Sequence, residues 1–256
     1  MAGGGKVRGT QMNFSYGAVW GDTLRMLREN ARLLAAVAGA FLFLPAVLVA
    51  VLFPEPQTAE VDRIFPVLIE YYSGIWHWLL LKALVAMIGA AAMLRLVLKP
   101  GTSVGGALAF GVMLLPFYFL LSLISGLIIG LGILLLIVPG LYLIGRLIPA
   151  GPLMVAENRR NPIEVIGRSF EITRGHGWAV FGLVLIVAVV AIIVAGITGA
   201  LIGIVLILAA GQELGTLLAT IISSAFDTGV QTLLLVLYAA IYRGLTRSDS
   251  VAATFE

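Results

Sequence analysis

Two ionisable residues, Lys82 and Asp227, fall inside long apolar runs of this sequence. At the centre of a bilayer each would cost about 2.5–3.5 kcal/mol on insertion scales, so each calls for a partner or a function. Counted from the outer ends of their runs, their depths differ by only about 5 Å at 1.5 Å per residue. Opposite sign and similar depth predict an intramembrane charge pair, acting as a structural lock or as a proton or ion relay. The alternative satisfies them separately. Lys82 would then snorkel outward, and Asp227 would be bonded by Thr220, Ser223, Ser224, Thr228 or Gln231.

Conventional catalytic chemistry has little to work with. His77 and His176 are the only histidines, and cysteine is absent. With six spans the two imidazoles fall on opposite sides, so no His-based metal site of the usual spacing is expected. Disulfides, thiol catalysis and thiolate metal sites are excluded by composition. Neither a GxxxxGK[ST] phosphate loop nor a GxSxG elbow occurs. The polar connections are too short to fold as a catalytic domain. The reading is of a chain that is not an enzyme and takes no cofactor or metal.

The elements that would position these residues are membrane helices. Hydrophobic residues make up 61% of the chain and charged ones 11%, with a mean hydropathy of +1.08. Soluble domains carry about 25% charged residues, and a polytopic membrane protein is the common cause of such a deficit. The net charge of +3 and the pI near 9.4 do not indicate nucleic acid. The basic residues sit dispersed at the ends of apolar runs, where they set topology.

A span needs about 20 predominantly apolar residues, which predicts six, at 33–53, 75–98, 107–129, 131–150, 178–199 and 217–242. The first run is too long for a signal-peptide core and ends in Phe53-Pro54, so it reads as an uncleaved span. Residues 107–150 form one apolar block, and Gly130-Leu131-Gly132 is the expected reversal within it. Glycine-rich residues 199–215 read as an outer amphipathic or re-entrant connection. The expected organisation is a tail with a basic amphipathic helix over 1–32, a membrane domain over 33–243, and a tail over 244–256.

Charge tests this count. With the N-terminus inside, one face collects Lys6, Arg8, Arg25, Arg28, Arg32, Arg95, Lys99, Arg146, Arg159, Arg160, Arg168, Arg174, Arg243 and Arg247. The outer connections hold Arg63 against Glu55, Glu60, Asp62, Glu70 and Glu213. The positive-inside rule then predicts a multi-pass protein of a bacterial cytoplasmic membrane with both termini in the cytoplasm. Tyr71, Tyr72, Trp76 and Trp78 mark the outer end of the second span, and Trp178 marks the inner start of the fifth. Small-xxx-small pairs Ala35/Gly39, Gly126/Gly130 and Gly199/Gly203 predict close helix approaches, and Pro45, Pro116 and Pro139 predict kinks within spans.

Between the fourth and fifth spans lies the charged stretch NPIEVIGRSFEITRGHGW, residues 161–178. Asn161 suits an N-cap, Pro162 the first helical position, Glu164 a capping box and Gly175 a left-handed C-terminal cap. Ile163, Ile166 and Phe170 would share an apolar face, with Glu164, Arg168 and Glu171 on another. The expected element is a cytoplasmic amphipathic helix over 161–174, either bracing two spans or touching lipid headgroups or a partner.

One motif spans this region. Pro139, Gly140, Tyr142 and Arg146, then Glu157, then Arg168, Ser169, Phe170, Thr173 and Gly175 resemble the glycerophosphoryl diester phosphodiesterase membrane domain family and its six-span bacterial relatives. Phe170 stands where that family often has Trp. The resemblance implies an all-α bundle of six spans with short interfacial helices, and a membrane module without the separate hydrolase domain found in some relatives. It implies that the matched residues are structural, with Arg146 snorkelling to pair with Glu157 or Glu171. A phosphate-headgroup contact helped by Arg168 and Arg174 is the functional alternative.

The sequence therefore reads first as a non-catalytic scaffold or lipid-associated accessory. Its partners would be membrane lipids, anionic headgroups at the cytoplasmic face, a protein partner or a second copy, and no nucleic acid. A small-molecule or lipid transporter using Lys82 and Asp227 is the alternative.

Overall fold

The computed structural model describes residues 15–56 and 61–252, and all regular structure there is helical. The expectations placed on Lys6, Arg8, Glu60 and both chain ends fall outside the described residues. Ser15 opens the first helix by accepting the Ala18 N–H at 3.4 Å. That helix is one rod: α1 (Tyr16–Ala38), a π-helical segment (Gly39–Phe43) and α2 (Leu44–Leu52). The separate amphipathic helix expected before residue 33 is continuous with the span, because no Gly or Pro interrupts residues 22–38. The wider π turns lie just ahead of Pro45, which has no N–H for the ladder.

α3 (Ile64–Leu98) and α4 (Val104–Leu135) follow, the latter capped by Ser103 Oγ, which accepts the Gly106 N–H at 3.2 Å. The expected reversal at Gly130-Leu131-Gly132 does not occur. α4 runs straight through it and turns at Leu136, whose backbone is extended at φ −156°, ψ 126°. A short α5 (Ile137–Leu147) and α6 (Ala150–Glu157) make the fourth crossing, α7 (Pro162–Ile172) lies between crossings, and α8 (Gly177–Ala210) and α9 (Gln212–Ala252) form the last hairpin. The connection expected over 199–215 is helix instead. Apolar surroundings leave backbone groups no partner but their own helix. The turn shrinks to Gly211, at φ 81°, a conformation open to glycine.

Six of these helical stretches are long and apolar enough to cross a membrane, and the protein is an all-α, multi-pass membrane protein. Its packing is uneven along the spans. The core gathers Met26 of α1, Met93 and Leu94 of α3, Met154 of α6 and Leu237 and Ile241 of α9 at one end. At the opposite end large apolar side chains lie open, with Phe65, Leu134, Leu135 and Leu208 more than three-quarters exposed. α8, about 51 Å long, exceeds the roughly 30 Å hydrocarbon layer and must tilt or project.

Candidate functional site

Tyr142, Arg146, Ser169, Phe170 and Thr173 of the motif meet where α5 and α7 finish, at the packed end, whereas Pro139 and Gly140 lie at the other end of α5. The last carbonyls of a helix have no partner in their own ladder. Arg146 is the penultimate residue of α5, and its carbonyl accepts the Ser169 hydroxyl of α7 at 2.7 Å. In return, the Arg146 guanidinium donates from Nη2 to the carbonyl of Phe170, in the last turn of α7, and from Nη1 to the Tyr142 hydroxyl at 2.7 Å. Its carbon stands 4.8 Å from the Phe170 ring centre and 5.5 Å from that of Tyr142. Ser169 and Thr173 are fully buried, and the Thr173 hydroxyl donates to the Ser169 carbonyl at 2.5 Å. The two helix ends cap each other.

Neither carboxylate expected beside Arg146 is there. Glu157 takes Arg159 at 2.6 Å and accepts the Tyr242 hydroxyl at 3.3 Å, while Glu171 takes Arg168 at 3.0 Å. Main-chain carbonyls left over by two helix ends lie nearer. The Asn161 cap forms, with its Oδ1 accepting the Ile163 N–H at 3.0 Å. Glu164 closes it by accepting from the Asn161 side chain at 2.9 Å rather than from a backbone N–H. The buried face of α7 is Val165, Ser169 and Ile172, and Ile163 is exposed, because α7 packs into the bundle. Arg174 is exposed, and Gly175 makes the turn into α8 at φ 80°.

Glycines let these elements meet. A Cβ on Gly145 would press on the Gly177 carbonyl and lie 2.9 Å from Phe181 Cβ; one on Gly177 would lie 2.6 Å from the Tyr142 ring. A Cβ on Gly140 would lie 2.6 Å from the Ile133 nitrogen, and one on Gly132 2.7 Å from Leu143 Cδ1. Pro139 sits in the first turn of α5, where its missing N–H is not needed, so it opens a helix rather than kinking one. Of the expected small-residue pairs, Gly39, Gly126, Gly130 and Gly199 face open space, and only Gly203 meets a neighbour, Ala219. Spacing marks a small stripe but not whether a helix lies against it.

Lys82 and Asp227 do not form an ion pair among the described residues. Lys82 is half-buried and Asp227 exposed. Nor do the neighbouring hydroxyls bond Asp227: those of Thr220, Ser223, Ser224 and Thr228 all donate to carbonyls of α9. Glu213, Thr216, Thr220, Ser223, Asp227 and Gln231 fall within about 80° of arc on that helix. With the hydroxyl protons spent internally, this polar stripe offers mainly acceptors. Sequence reading missed Arg95, whose guanidinium lies 4.3 Å over the Phe110 ring with Nη1 buried and unpartnered among the described residues. A terminal-turn arginine looks like any topological charge until its neighbour is known.

Among the described residues no group of three His, Asp or Glu is placed to hold a metal. The chain matches no protein-family model, no curated protein and no solved structure.

Proposed function

We propose that the protein is a non-catalytic scaffold or lipid-associated accessory of a bacterial cytoplasmic membrane, with the packed end and both termini in the cytoplasm. The supporting observation is the packed end itself, with its apolar core and mutually capped α5 and α7. Exposed Arg28, Arg32, Arg160 and Arg174 lie on the same side. Near an anionic leaflet each is worth about 1 kcal/mol of attraction. The likeness to the glycerophosphoryl diester phosphodiesterase membrane domain family belongs to this proposal, since it concerns the residues of the mutual cap. Native mass spectrometry of the mildly solubilised protein tests it. A retained anionic lipid or a stoichiometric protein partner is expected, and saturable solute flux into sealed proteoliposomes would overturn it.

One observation favours transport as a second reading. The acceptor stripe on α9 holds an exposed Asp227 within a span, in no ion pair among the described residues. Intramembrane carboxylates commonly mark ion or substrate paths. Loss of flux in Asp227→Asn, with the fold kept, would decide for this reading.

A further inference from the structure

Ala225 and Gly229 of α9 form the shared floor of two apolar grooves. The first, ≈ 810 Å³, lies between α9 and α8 and reaches from Leu183 to Ile202, with Trp20 of α1 on its wall. The second, ≈ 590 Å³, lies between α9 and α1 and reaches from Arg28 to Phe43. Along their helices these spans measure about 28 Å and about 22 Å. Both volumes fall in the range of about 300–1,000 Å³ usual for ligand sites, yet their walls suit only hydrocarbon.

Thr228 and Thr232 spend their hydroxyl protons on α9 carbonyls, so the charged exception is Arg28. It is exposed on the wall of the second groove, and no ion pair among the described residues reaches it or Arg32, one turn further. Asp22 is taken by Arg25 at 2.5 Å and Arg247 at 3.7 Å, and Glu29, next to Arg28 in the chain, forms no ion pair among the described residues. Arg28 lies six residues along the rod from Asp22, about 9 Å nearer the middle of the span. An unpaired guanidinium at that depth, beside two hydrocarbon grooves, is complementary to an anion that carries two apolar tails.

We infer that this face holds one anionic diacyl phospholipid, its phosphate on Arg28 and one acyl chain in each groove, straddling Ala225 and Gly229. The inference rests on the lipid-associated reading above and names its ligand class and site. A cation on the wall of one groove, with Ala225 and Gly229 common to both, sets this site apart from the lipid annulus around any bundle.

Gly229→Leu tests it, because a Cβ at Gly229 meets nothing within 4 Å, so the new side chain projects into the shared floor. The full chain is reconstituted in nanodiscs of phosphatidylglycerol or phosphatidylcholine, mildly extracted, and its retained lipids counted by native mass spectrometry. The expected result is one retained phosphatidylglycerol on the wild type and none on Gly229→Leu. Arg28→Gln, at an exposed position, should lower the phosphatidylglycerol preference by about tenfold, and it reads the same site even if Gly229→Leu fails to fold. Equal retention by wild type and both variants overturns the site while leaving lipid association standing. A wild type that retains no lipid overturns both, and a lipid-free dimer broken by Gly229→Leu puts a second copy on this face instead.

Discussion

Ser169 donates its hydroxyl proton to the carbonyl of Arg146 at 2.7 Å, and the Arg146 guanidinium donates to the carbonyl of the residue that follows Ser169. Each helix thereby satisfies a carbonyl that the other's ladder leaves over. The consequence is architectural. α7, which by composition could float on the membrane surface, is tied into the bundle through fully buried Val165 and Ser169.

Ser169→Ala would strand the Arg146 carbonyl in a buried setting, at a cost of about 1–3 kcal/mol. Arg146→Lys keeps the charge but loses the planar fork that serves Tyr142 and Phe170 together, and should cost a similar amount. Thermal unfolding in detergent should show both variants melting below wild type. Unchanged melting of both would show that the mutual cap contributes nothing to stability.

Two glycines on neighbouring elements should behave in opposite ways. Gly145→Ala forces a methyl against the Gly177 carbonyl and Phe181, an overpacking expected to cost about 1–3 kcal/mol. Gly126→Ala enters open space on α4 and should be neutral or stabilise by about 0.4–1 kcal/mol through the unfolded chain. The same melting assay compares them, and equal losses would contradict the packing described.

For Lys82 and Asp227 the expectation is independence. A double-mutant cycle on Lys82→Met and Asp227→Asn should give a coupling below about 0.5 kcal/mol, the level of non-interacting sites. A coupling well above that would show a direct pair.

How far the sequence alone could lead depends on what marks each feature. Six crossings were legible because apolar runs broken by charge are the dominant signal in a membrane chain. Turns inside apolar blocks were not. Leu136 and Gly211 reverse the chain with no polar punctuation around them, and Gly132, which looks like a turn residue, serves close approach to Leu143 and Gly140. The motif marks the residues that the mutual cap uses, yet it suggests a carboxylate partner for Arg146. Its partners are a tyrosine hydroxyl and a main-chain carbonyl, and every residue has a carbonyl, so composition gives no hint of which one is left over. The grooves beside α9 arise from where α1 and α8 lie, which spacing within one helix cannot reveal.

The arrangement of six crossings with the packed, arginine-rich end on one side is the claim on which the rest depends, and the cysteine-free chain makes it directly measurable. Single cysteines at Pro100, Arg160 and Arg247, and at Glu55 and Glu213, are exposed to a membrane-impermeant thiol reagent in sealed vesicles of each orientation. The first three should react only from the cytoplasmic face and the last two only from the opposite one. Reaction of Arg160→Cys and Glu213→Cys from the same face would contradict it.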